Sequence, residues 1–178
     1  MNIASAHASA RATSRAPRTV DELLELEADA LRELYHDASV PKLQELDGDL
    51  RGRLLAVPQL PPLLAALPRA LARSAHFPWR GKSFRPLSET RGEGINRVVS
   101  DRLRLFRFTT FIGRSRAGAF DAVQLDYDHA SNPFFIRAIK DEIRELSPGL
   151  YLGQAYAEVS GTAHLALYFG LQSATRSR

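Results

Sequence analysis

The 178-residue chain contains no cysteine. That excludes a disulfide framework, a thiolate zinc site and a cysteine nucleophile, and it fits a reducing compartment, so cytoplasm is the expected localisation. Long apolar runs are also missing. A bilayer-crossing helix needs about 20 consecutive apolar residues, and the uncharged stretch from Leu54 to Leu67 is interrupted by Pro58, Pro61 and Pro62. No membrane span is expected. Residues 1–18 carry Arg11, Arg15 and Arg18 but lack the continuous apolar segment of a secretory signal, and read as a disordered basic arm.

A concentrated basic stripe is absent as well. The pI of 9.8 invites a nucleic-acid reading, but five of the 24 Lys and Arg residues are Arg11, Arg15, Arg18, Arg176 and Arg178 at the two ends. The remaining 19 face 20 acidic residues, so the body is near neutral and no nucleic-acid partner is expected. Catalytic motifs fail in turn. Gly113-Arg-Ser115-Arg-Ala-Gly118 has the wrong spacing for a nucleophile elbow and reads as a loop between strands. Arg91-Gly92-Glu93-Gly94 has neither the lysine nor the following helix of a phosphate loop. His7, His36, His76, His129 and His164 are scattered, so neither a metal site nor a cofactor is expected.

What the chain does contain is 44% hydrophobic residues, enough for one domain with its own core. Thr19 and Glu22 have capping-box spacing, and Leu23, Leu24, Leu31, Leu34 and Tyr35 follow with helical steps, predicting a helix to about His36 within an N-terminal helical segment over 19–45. A second helix is predicted from Pro61 or Pro62 through Ala72, kinked or split at Pro68. The pattern then turns to strands: Leu50 to Val57, Gly81 to Leu87, Gly94 to Val99, Leu103 to Gly113, Phe120 to Asp128, Leu150 to Val159 and Ala163 to Leu171. Asp101-Arg102 and Ser160-Gly161 read as tight hairpins between sequential antiparallel neighbours. Asn132-Pro133 starts a helix to at least Lys140, and 141–146 is helix or an eighth strand, with the strand preferred. The expected fold is mainly β with flanking helices (α+β): an antiparallel barrel over 46–172 with helical insertions, an N-terminal helix, and a disordered tail over 173–178.

Polar residues set within apolar strands are the candidates for chemistry. Asp126 and Tyr127 end one strand and Glu142 lies on the return. A carboxylate in an apolar cavity has a raised pKa and can shuttle a proton, and a phenol can stabilise an enolate. The alternative is that these acids cap turns and form surface ion pairs. Trp79, beside Arg80 and Lys82, is either a core plug or a ligand-stacking residue. Arg97, alternating with Ile95 and Val99, needs a buried carboxylate or an anionic ligand if that face points inward. Along Leu150 to Val159 one face is small (Gly153, Ala155, Ala157) and the other large (Leu152, Gln154, Tyr156). The large face is expected to point into the barrel, where Gln154, Tyr156, Tyr127 and Tyr168 would orient a mainly apolar ligand.

Trp79-Arg80-Gly81-Lys82, followed by a meander closing with Leu165-Ala-Leu-Tyr-Phe-Gly170, resembles small bacterial lipocalin-like (calycin-type) barrels, including a family named for a Gly-x-Trp-x-Gly signature. Phe77 stands where the first glycine of that signature would be, and the resemblance spans Leu46 to Leu171. It implies carriage of hydrophobic small molecules, and some such barrels are cofactor-free isomerases or cyclases of natural products. The leading expectation is a small, mostly hydrophobic metabolite with a polar or anionic end, held among Trp79, Tyr127, Gln154 and Tyr156 with Arg97 or Lys82 facing the anion. The alternatives are an isomerase or cyclase using Asp126 or Glu142, and an interaction module working through its helices. Homo-oligomerisation stays open.

Overall fold

A computed structural model describes residues 16–58, 78–100 and 102–174. Eight antiparallel strands follow the chain in order: β1 (Gly48–Ala56), β2 (Trp79–Pro86), β3 (Arg91–Val98), β4 (Arg104–Arg114), β5 (Asp121–Asp126), β6 (Ile139–Ser147), β7 (Leu150–Val159) and β8 (Thr162–Ser173). Each pairs with the next, and β1 pairs with β8, closing a meander barrel. Mainly β architecture with an antiparallel barrel was the expectation. The second helix expected near 61–72 lies outside the described residues. Among the described residues no helix is long and apolar enough to cross a membrane.

The N-terminal segment departs from the single helix expected over 19–36. It forms a 3-10 turn at Glu22–Glu25 and then helix α1 (Ala28–Asp37), with extended backbone at Leu26 and Glu27 between them. In one continuous helix Glu27 would fall on the buried stripe between Leu24 and Leu31. The break turns Glu27 to solvent and still seats Val20, Leu23, Leu24, Leu31 and Tyr35 on the outer wall of the barrel. The expected cap is half formed: the Glu22 amide donates to Thr19 Oγ1 at 3.2 Å, while the Glu22 carboxylate accepts from the Arg18 amide at 2.7 Å.

The helix expected from Pro133 to Lys140 is reduced to α2 (Phe134–Arg137), and β6 begins at Ile139. Ile139 and Ile143 are four apart, a spacing that fits a helical turn and two strand repeats equally. Here the strand prevails because Ile139, Asp141 and Ile143 pair in register with Ala157, Ala155 and Gly153 of β7.

Two layers of core result. Inside, Leu50, Phe84, Phe108, Val123, Leu125, Ile143, Tyr151 and Leu171 pack together with Leu43 and Leu46, which belong to a second 3-10 turn (Leu43–Leu46). Outside, the N-terminal segment covers Leu55, Leu150, Leu152 and Tyr168. This second layer reverses the expected facing of β7. Gly153 and Ala155 point inward, the ring of Phe169 fills the space over Gly153, and Leu152, Gln154 and Tyr156 point outward. Period-two alternation separates two faces without saying which is inside, and a helix-covered outer wall needs large side chains as much as an interior does.

Candidate functional site

The inner packing does not fill the barrel. At the end where β2, β4, β6 and β8 begin, a cavity of about 330 Å³ remains, walled by Leu54, Trp79, Phe106, Ile139, Ala155, Leu167 and Phe169, with Pro78, Val98 and Ile136 at its rim. Lys82, Asn96, Tyr127 and Asp141 form its polar part.

Strand register brings these four together. Lys82 sits opposite Leu50 and Asn96, while Asp141 sits opposite Leu125 and Ala155, so both project inward. Two irregularities shape the wall. At Gly81 φ is +129°, and a Cβ there would collide with the backbone of β1, 2.6 Å from the Gly52 nitrogen, so glycine is required for β1 and β2 to approach. Phe106, with φ +62°, is the extra residue of a bulge where the register shifts between Ile95 and Asn96, and its ring walls the cavity. A bulky residue in the left-handed region is strained, and such strain concentrates at functional sites.

The hydrogen bonds of the cluster can be followed atom by atom. Lys82 Nζ donates to Asp141 Oδ2 (2.9 Å), Asn96 Oδ1 (3.0 Å) and the Tyr127 hydroxyl (2.5 Å), which uses all three ammonium protons. The Tyr127 hydroxyl donates to Asp141 Oδ2 at 3.0 Å and accepts from Asn96 Nδ2 at 3.1 Å. Trp79 Nε1 donates to Asn96 Oδ1 at 2.9 Å, which fixes that amide, since the Trp79 and Lys82 donors both need an acceptor there. One atom of the cluster is left over: Asp141 Oδ1 is buried with no partner. Around Nζ stand the rings of Phe169, Tyr127, Trp79 and Phe108, with centroids 5.0 to 5.4 Å away, a favourable setting for a cation.

Electrostatics follows from this burial. Desolvation lowers the Lys82 pKa, and Asp141 opposes it by charge and hydrogen bond. The Tyr127 phenol is pushed well above its ordinary value, first by burial and then by the Asp141 charge, so it remains a donor.

Of the residues singled out from sequence, Trp79, Lys82 and Tyr127 meet in this cavity. The others do not. Asp126 lies on the outer face, ion-paired with Lys140; burial works to raise its pKa but is outweighed by the Lys140 bond and the Asp128 amide, so it is held below the usual carboxylate range. Glu142 is fully buried, also on the outer face, accepting from Ser115 Oγ (2.6 Å), the Arg116 amide (3.0 Å) and Gln124 Nε2 (3.2 Å). Tyr156 donates to Gln154 Oε1 at 2.6 Å beside this cluster, and Tyr168 packs under the N-terminal segment. Arg97, one of the two candidates to face an anion in the cavity, lines an outer cleft with Arg51, Arg53 and Arg80. It donates to the Leu50 carbonyl at 2.8 Å and stands 3.8 Å from Asp49. Its paired neighbours Gly81 and Arg104 lie on that outer face, and Asn96 takes the inward position.

Sequence reasoning missed Asp141 and Asn96. Asp141 sits in the sequence between Lys140 and Glu142, a charged run that reads as surface ion pairs, yet it lies midway between Ile139 and Ile143, and once 139–147 is a strand those two isoleucines carry it inward. No group of three or more His, Asp or Glu able to hold a metal ion occurs among the described residues.

No family model matches the chain, and no curated protein matches it. A crystal structure of a protein from Thermomonospora curvata is similar over 84% of this chain and 89% of that one, at a TM-score of 0.50 and 18% identity, a likeness that shows the fold alone.

Proposed function

We propose that the barrel binds one small, mostly apolar molecule, with its polar end against the Lys82, Asp141, Tyr127 and Asn96 cluster. The observation that carries the reading is the apolar cavity of about 330 Å³ with a single convergent polar group of residues. Ligand sites have this composition, and the volume lies at the small end of their range. It has room for about ten water-sized groups, the scale of one or two fused rings. In this the protein resembles lipocalin-like barrels that carry hydrophobic small molecules. The cluster supports recognition because its own bonds hold it in place before a ligand arrives.

The test is native mass spectrometry, followed by denaturing extraction, of protein purified from cells that make it. A small hydrophobic molecule released from the wild type and absent from Leu167→Trp, in which the cavity is filled, is the expected result. An empty wild type whose solved interior proves to be packed would sink the proposal.

A second reading, cofactor-independent proton transfer, is favoured by one observation: the carboxylate in the cavity keeps an unpartnered oxygen beside a protonated phenol. The acid/base role then passes from Asp126 and Glu142 to Asp141, with Tyr127 retained. Deuterium exchange at the α-carbon of 2-tetralone, abolished in Asp141→Asn, is its expected signature, and a rate equal to that in buffer alone refutes it.

A further inference from the structure

The ligand was expected to carry a polar or anionic end, and the cluster argues for the first of these and against an anion. Three facts define what it can still bind. Lys82 has spent its three protons on Asp141, Asn96 and Tyr127. The Tyr127 and Trp79 protons are likewise committed, to Asp141 Oδ2 and Asn96 Oδ1. The remaining open valence is an acceptor, Asp141 Oδ1, buried and unpartnered on a residue that lines the cavity. From this the geometry points to a ligand whose polar end is a neutral hydrogen-bond donor, a hydroxyl or N–H group addressed to Asp141 Oδ1, on a compact apolar body. The inference rests on the cavity-binding reading above and specifies its ligand class.

Charge and hydrogen bonding select the same chemistry. The Lys82 and Asp141 charges cancel within 2.9 Å, so a ligand carboxylate would find no net positive charge and would meet the Asp141 carboxylate as a second anion. A ligand ether or ketone offers only an acceptor, and would leave Oδ1 as unsatisfied as before. A donor satisfies that oxygen with a charge-assisted bond shielded from water, the kind of contact through which a polar site rejects an analogue lacking the proton.

Isothermal titration near pH 7 with four probes built on one bicyclic ring decides the matter: 2-naphthol, 2-naphthylamine, 2-methoxynaphthalene and 2-naphthoate. The two donors are expected to bind about ten- to a hundredfold more tightly than the methyl ether and the acid. In Asp141→Asn, checked for folding by circular dichroism, that preference is expected to fall at least about tenfold. Equal affinity of 2-naphthol and 2-methoxynaphthalene would overturn the donor inference and leave the cavity reading standing. Tightest binding of 2-naphthoate would overturn it in favour of an anion at Lys82. Binding of none of the four would overturn the cavity reading and the inference with it. Should Asp141→Asn fail to fold, the wild-type ranking alone still decides.

Discussion

Replacing Asp141 by Asn keeps the shape of the side chain and removes the carboxylate that balances the Lys82 ammonium. Two outcomes compete for the lysine. If it stays charged, a buried ion pair has lost one member, which costs about 3–5 kcal/mol. If it releases its proton, the cost is the free energy of moving a lysine from its ordinary pKa to the neutral form, about 5 kcal/mol near pH 7 and only about 1 kcal/mol near pH 9.5. Lys82 lies only 3% exposed, so water cannot rescue the charge, while Asn96 and Tyr127 still accept from it and soften the loss. The expected destabilisation is therefore about 3 kcal/mol near pH 7, shrinking toward about 1 kcal/mol near pH 9.5, where the cheaper neutral form takes over. Urea denaturation followed by Trp79 fluorescence measures both values, and the loss near neutral pH corresponds to a melting temperature lower by about 10 °C. The double variant Lys82→Met with Asp141→Leu, which buries apolar groups in place of the pair, is expected to recover most of that stability. Asp141→Asn within about 0.5 kcal/mol of wild type, or a penalty unchanged at the higher pH, would refute the assignment of a charged, buried pair.

Other consequences can be checked separately. Gly81→Ala is expected to cost at least about 2 kcal/mol, through its φ of +129° and the collision with β1, and a barrel of unchanged urea midpoint would contradict that role. Arg144 donates to the carbonyls of Tyr35, His36 and Ala38 at the end of α1, with its guanidinium 4.1 Å over Phe120. Arg144→Met is therefore expected to cost about 2 kcal/mol and to speed hydrogen exchange in 28–37, whereas unchanged exchange there would show that the arginine does not anchor the helix. All five tyrosines are raised above the ordinary phenol value of 10.0, each first by burial. Because an unfolded phenol ionises near 10 and these ionise higher, their contribution to stability is complete below about pH 10 and is lost as pH rises beyond it. Phenolate absorbance is expected to rise in one step together with loss of circular dichroism, and phenols titrating near pH 10 in an intact barrel would contradict the burial.

Strand positions were legible because period-two alternation and turn residues are local signals: β7 was placed at Leu150–Val159, and Ser160-Gly161 does turn into β8. Facing was not legible, because which side of a strand is inner depends on what covers the outer side. The N-terminal segment covers Leu152, and Gln154 and Tyr156 share its outward side of β7, so residues expected in the cavity lie outside it. The same indeterminacy applies to Arg97, which alternates with the inward Asn96 and so faces out. Trp79, Lys82 and Tyr127 were found because a lone indole, a lysine and a phenol inside apolar strands are conspicuous. Asp141 was hidden by its neighbours Lys140 and Glu142, which make any acid between them look like part of a solvated charge run.

The most direct measurement of the central claim is a methyl NMR titration of the whole protein with 2-naphthol. Saturable shifts confined to Leu54, Val98, Ile136, Ile139, Ala155 and Leu167, the methyls of the cavity, with Leu24, Leu31 and Leu152 on the outer wall unmoved, are the expected result. Shifts centred on the outer wall, or no saturable shift at any of these methyls, would contradict the account.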